Sequence, residues 1–263
     1  MIAWSVMFDA GGRFVPNSAQ SPKWNRGAYL AEALAHCGEC RTPRNFAFAL
    51  DNRRKFAGAV AAGWYAFNIT SDKGSGIGDW SDDDLIAYLS TGHVSRHGTA
   101  GGPMGEAVDQ SFSQMSPSDI RALVAYLHTI PAIASADLPA MLAPPAPASP
   151  KDGATADVLG KKVFQGACVA CHNWTGVSAL TSYATIVGAR AVNDRSATNV
   201  AQIVISGAKR STAQGDASMP AFGAAYSDVE IAAVTNYVTG RFGSEQSKIT
   251  AKDVAELRSQ TAR

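Results

Sequence analysis

"CVACHNW", residues 168–174, sets two cysteines and a histidine at C-x-x-C-H spacing, and the rest of the chain is read outward from it. This spacing is the attachment signature of c-type haem. On one turn of helix, Cys168 and Cys171 lie on the same side and can each form a thioether to a haem vinyl group. His172 follows directly and can turn its imidazole to the iron as proximal ligand. The sixth ligand in such sites is a methionine later in the chain, and "GDASMPAF" supplies Met219, expected in a loop. Met/His ligation favours ferrous iron and raises the potential. A zinc site would need a second Cys or His pair, and none follows in this half of the chain. A thioredoxin-like pair would need a βαβ pattern, which is missing here.

A second pair stands earlier, in "HCGECRTPRN" at 36–45, where Cys37 and Cys40 repeat the spacing but Arg41 takes the histidine's place. Arginine stays protonated and offers no lone pair, so Arg41 is no iron ligand. Haem on both thioethers would then need His36, His93 or His97 as a substitute ligand, or a water. Without haem, Cys37 and Cys40 would be thiols or, in an oxidising compartment, a disulfide. For each of these histidines a surface or loop position is the simpler reading, and His128 suits a helix C-terminus.

All four cysteines fall in these two pairs. The 263 residues suffice for two domains. A net charge of +1, with 17% charged residues, gives no field for nucleic acid. No run of 18 apolar residues exists to span a bilayer. The opening "MIAWSVMFDAGGRF" lacks the basic and apolar regions of a cleavable signal. "PAIASADLPAMLAPPAPASP", 131–150, holds six of the twelve prolines and reads as a semi-rigid linker.

The two halves repeat. "SPSDIRALVAYL" from Ser116 aligns with "SDVEIAAVTNYV" from Ser227, 111 residues on. Ser116 with Asp119, and Ser227 with Glu230, read as helix caps. Apolar residues then recur at helical spacing. Further helices are expected before each cysteine pair, the first from an Asn25 cap, and from Ser81. Strand-like alternation is nearly absent. The fold class is mostly α, with two tandem cytochrome c domains: connector 1–21, a domain at 22–131 with the altered motif, a Pro/Ala linker at 132–152, a domain at 153–243 and a tail at 244–263.

The segments "WNRGAYLAEALAHCGEC", "TPRN", "FAGA", "NITSDKGSGIGDWSDDDL", "TGH", "GGPMGEAV", "CVACH" and "MPAFG" resemble the three-haem cytochrome c subunits of membrane-associated bacterial dehydrogenases. The resemblance is to the C-terminal two haem domains of that family, and it implies the expectation that the first domain and its export signal are missing from this chain. The resemblance implies Met104 as axial ligand of a second haem c held by Cys37 and Cys40, with an altered proximal ligand. It implies an electron-transfer subunit, not an enzyme on its own. Its partners would be a dehydrogenase catalytic subunit of alcohol, aldehyde, gluconate or N-heterocycle type, and ubiquinone or another cytochrome as acceptor. Its place would be the periplasm, at the outer face of the inner membrane, with membrane association through partners. A di-haem peroxidase is the alternative, since the Arg41 site could leave an iron position open.

Overall fold

The computed structural model describes residues 12–135, 158–212 and 215–261. Much of the expected connector and most of the expected linker therefore lie outside the described residues. Helices carry the architecture: α1 (Pro22–Tyr29), α2 (Cys37–Arg41), α3 (Asp82–Thr91), α4 (Gly102–Gln110), α5 (Pro117–Leu127), α6 (Val158–Val163), α7 (Val169–His172), α8 (Thr198–Ser206), α9 (Asp228–Phe242) and α10 (Ala251–Thr261). Short two-stranded pairs accompany them, including an antiparallel hairpin of Ala208–Thr212 with Gly215–Met219. Two compact units result: residues 12–61, 66–79 and 116–135, and residues 62–65, 80–115, 158–212 and 215–261.

Local chemistry sets the helix starts. Ser81, Ser116 and Ser227 each accept a backbone N–H three residues on, from Asp84, Asp119 and Glu230, and Ser227 with Glu230 completes a capping box. These satisfy donors that a helix N-terminus otherwise leaves open. The expected Asn25 cap is corrected: Ser21 caps α1, Pro22 opens it, and Asn25 sits one turn inside. Proline suits the first helical position because its missing N–H is not needed there. The Asn25 side chain instead ties down the preceding loop through Asn17.

The first unit is built on α1 crossing α5. Gly27 is the point of contact, since a Cβ there would lie 1.9 Å from the Ala122 carbonyl oxygen and 2.9 Å from Tyr126 Cβ. Leu30, Ile120, Leu123 and Val124 are buried around it. The loop "NITSDKGSG" is fixed by polar contacts: Asn68 Nδ2 donates to Ser75 Oγ at 3.0 Å, Ile133 O at 2.7 Å and Ser135 Oγ at 3.1 Å.

The second unit repeats the crossing with α6 on α9. A Cβ on Gly160 would lie 2.3 Å from the Ala233 carbonyl oxygen and 2.8 Å from Tyr237 Cβ. Ala122 and Tyr126 correspond to Ala233 and Tyr237 at the same 111-residue interval that relates the caps. Phe164, fully buried, meets the rings of Tyr237 and Phe242, each at 5.4 Å between centroids. The C-terminal residues expected as a tail form α10, and Ile249 and Val254 enter this same core. Arg258 holds α10 in place through Asp228 at 2.8 Å and the carbonyls of Gly223 and Tyr226.

Each crossing depends on glycine for space rather than for conformation. Gly27→Ala and Gly160→Ala should each destabilise their unit by about 3 kcal/mol, the upper part of the usual overpacking range. Alanine's better helix propensity, worth ~1 kcal/mol, acts the other way. Urea denaturation should therefore show a lowered midpoint, and a raised midpoint would show that the helices part without cost.

Candidate functional site

The helix that enters the second motif changes pitch before it. After α6, residues Phe164–Cys168 form a π-turn, and α7 then carries Cys171 and His172. Cys168 packs against the apolar core of the unit, Cys171 is exposed and His172 is half-buried. Burial pushes the Cys168 thiol up to about 11, with the neighbouring Cys171 adding to the shift. Asn173, at φ 59°, ends the helix immediately after the histidine.

His172 is held by a bond from Nδ1 to the Ala184 carbonyl oxygen at 2.6 Å. A carbonyl only accepts, so Nδ1 carries the proton and Nε2 keeps its lone pair. Burial lowers the imidazole's proton affinity, outweighing the Ala184 bond, so the ring is held neutral. A neutral imidazole with one nitrogen anchored to a carbonyl and the other bearing a lone pair is the arrangement of a metal-binding histidine. The second motif thus fits haem c. Ala184 gave no signal in the sequence, because a backbone carbonyl is recruited by position and not by residue type.

Met219 ends a strand and does not lie in the expected loop, because Ala208–Thr212 supplies it with a hydrogen-bonding partner strand. It packs on the same core as Cys168. It also borders a cavity of about 460 Å³ with Gly101, Gly105, Asp109 and Lys209, none of the motif residues being among its walls.

The first motif has the same frame and different chemistry. α1 runs into a π-turn at Leu30–Leu34, and α2 carries Cys37, Cys40 and Arg41. Cys37 is half-buried, its thiol pushed up chiefly by burial and opposed by the Arg41 charge, while Cys40 is exposed. Arg41 Nη1 donates to the Phe67 carbonyl oxygen at 2.5 Å. Arginine here makes the bond to a loop carbonyl that His172 makes, yet has no lone pair for a metal. The residue at 41 does not fit a proximal ligand. Met104 lies on α4, in the second unit.

Of the other histidines, His93 and His97 each keep a buried ring nitrogen without a hydrogen bond among the described residues, Nε2 and Nδ1 respectively. His36 adopts a left-handed backbone before α2. His93 stacks on Tyr183 at 4.4 Å and bonds Thr99 Oγ1 through Nδ1 at 2.9 Å. His97 stacks on Trp80 at 3.7 Å, and His128 ends α5 as expected.

Residues 158–241 match the cytochrome c family. Over 97% of its length the chain is 33% identical to the fructose dehydrogenase cytochrome subunit of Gluconobacter japonicus, covering 56% of that protein. It is 33% identical to the gluconate 2-dehydrogenase cytochrome c subunit of Pantoea cypripedii, over 93% of this chain and 58% of that one. A nicotinate dehydrogenase subunit of Pseudomonas putida is 31% identical over 94% of this chain, which covers 20% of it. Residues 158–241 form a cytochrome c domain, and along nearly all of its length the chain is similar to the cytochrome c subunits of bacterial dehydrogenases. It spans little more than half the length of the fructose and gluconate dehydrogenase relatives. A cytochrome c domain implies haem c as cofactor. Among the described residues, no helix of this cytochrome is long and apolar enough to cross a membrane.

The environments of the two cysteines in CVACH give a test on the haem-free cytochrome. Iodoacetamide at neutral pH should modify Cys171 well before Cys168, with Cys168 gaining reactivity as pH rises towards about 11. Equal labelling rates at neutral pH would contradict the burial of Cys168.

Proposed function

We propose that this chain is the electron-transfer subunit of a periplasmic dehydrogenase complex. It would take electrons from a catalytic subunit and pass them to ubiquinone or another cytochrome at the outer face of the inner membrane. The anchored, neutral His172 inside a C-x-x-C-H motif of a cytochrome c domain carries this reading. Haem c, when bound, supplies an iron that alternates between the ferric and ferrous states. Cys168 and Cys171 would hold the group covalently, His172 Nε2 would be its proximal ligand and Met219 its sixth. The apolar core behind Cys168, with Phe164, Tyr237 and Phe242, keeps water from that side and lowers the local dielectric. No substrate bond is made or broken by these residues. The relatives are named for alcohol, fructose, gluconate and nicotinate dehydrogenases, which favours that partner class and gives the peroxidase alternative no support.

A second haem on Cys37 and Cys40, with Met104 as a ligand, remains part of the proposal by resemblance alone. Arg41 leaves it without a lone-pair nitrogen at the motif's ligand position, so no electron step is assigned to it.

Two measurements test the reading. Met219→Ala should keep the haem but lower its reduction potential, by a fraction of the ~0.8 V range that axial ligands span. His172→Ala should lose stable haem or leave it high-spin. An unchanged potential in the Met219 variant would remove that residue from the ligand set.

The wild type should show one low-spin Met/His centre in redox-resolved spectra, and Arg41→His should add a second. Two indistinguishable Met/His centres already present in the wild type would overturn the reading of Arg41.

A further inference from the structure

The hairpin that ends in Met219 is fastened by a buried arginine. Arg210 pairs with Ala217 in the hairpin register, and Ala208 pairs with Met219. Side chains alternate along a strand, so Ala208, Arg210, Ala217 and Met219 share one face. Burial follows that alternation: Arg210 is buried, Ala217 and Met219 are half-buried, and Lys209, Ser211, Asp216 and Ser218 on the other face are exposed.

Arg210 is 3% exposed, and its guanidinium is spread over two helices of the same unit. Nη1 donates to Gly105 O at 2.6 Å, within α4. Nη2 donates to Thr91 O at 3.0 Å, the last residue of α3, and lies 3.1 Å from Asp109 Oδ1. The helix C-terminal carbonyl and the carboxylate both favour a cation there. Two glycines keep the space open. A Cβ on Gly92 would lie 2.3 Å from Nη2, and one on Gly105 would lie 3.3 Å from Nη1. Gly105, Asp109 and Met219 also line one cavity, so two of the arginine's three acceptors and the methionine border a common space. Gly105 directly follows Met104, so the same fork fixes the backbone beside the other candidate methionine.

We infer that Arg210 is the positioning residue for Met219: its fork fixes the inward face of the hairpin, and so the place of the thioether, against α3 and α4. The inference rests on Met219 being the sixth ligand. Lysine at 210 would keep the charge but reach as a single point, without the planar fork that serves three acceptors. The hairpin would then spend more time displaced, with the thioether off the iron.

An added ligand competes only for that displaced fraction, so its apparent affinity reports the fraction directly. The experiment is an imidazole titration of the ferric holoprotein, with the weak far-red sulfur-to-iron absorption recorded alongside. Arg210→Lys should retain haem, weaken that absorption and bind imidazole about tenfold more tightly. Asp109→Asn, which removes the carboxylate charge and leaves the two carbonyl bonds, should shift both readouts the same way by less, and it serves if the Arg210 variant does not fold. Met219→Ala is the reference and should abolish the far-red absorption. If it does so while Arg210→Lys, or Asp109→Asn in its stead, matches the wild type in absorption and imidazole affinity, the positioning role is overturned and the ligand assignment stands. If Met219→Ala leaves the absorption intact, the ligand assignment falls and this inference falls with it.

Discussion

A helix backbone pressed against another helix at a glycine organises each unit of this protein. At Gly160 the Cα of α6 comes so near the Ala233 carbonyl that no side chain fits, and Gly27 repeats the arrangement against Ala122. That approach fixes the axis of the helix leading into each cysteine pair. A π-turn follows in both, Leu30–Leu34 and Phe164–Cys168, and widens the helix by a residue just before or at the first cysteine. The orientation of each motif therefore derives from a packing contact well upstream of it. The aromatic contacts of Phe164 with Tyr237 and Phe242 then close the second core beneath Cys168.

The same frame holds two different side chains at the critical position. His172 reaches the Ala184 carbonyl with one nitrogen and keeps a lone pair on the other. Arg41 reaches the Phe67 carbonyl with a guanidinium that has only donors. An arginine can thus preserve the loop anchor, which depends on an N–H, and abolish the ligand function, which depends on a lone pair. Structural and chemical requirements of one position separate here because they belong to opposite ends of the imidazole.

Polar side chains do the fixing where the chain is locally weak. Arg258 ties α10 to the start of α9 and the loop before it, and Asn68 organises the loop of the first unit through three acceptors. Arg210 does the same for the hairpin of Met219. Each contact is directional and most are long-range in sequence, so a loop or hairpin gains a defined position.

The sequence by itself determined what short-range chemistry encodes. The serine caps at 81, 116 and 227, the 111-residue repeat and the C-x-x-C-H motif are local patterns, and the structure and the relatives agree with helices and a cytochrome c domain. The lack of a metal-binding lone pair at Arg41 was equally legible, because it is a property of one side chain. The start of α1 was misread at Asn25 because two cap-forming residues lie four apart, and Pro22 decides between them. Only the tertiary structure decided that Met219 ends a strand, that the C-terminal residues enter the core, and that Ala184, Phe67 and Arg210 have parts to play. A strand there needs its partner Ala208–Thr212, and a backbone carbonyl carries no mark in the sequence. A buried arginine looks like any surface arginine until Thr91, Gly105 and Asp109 converge on it from more than a hundred residues away.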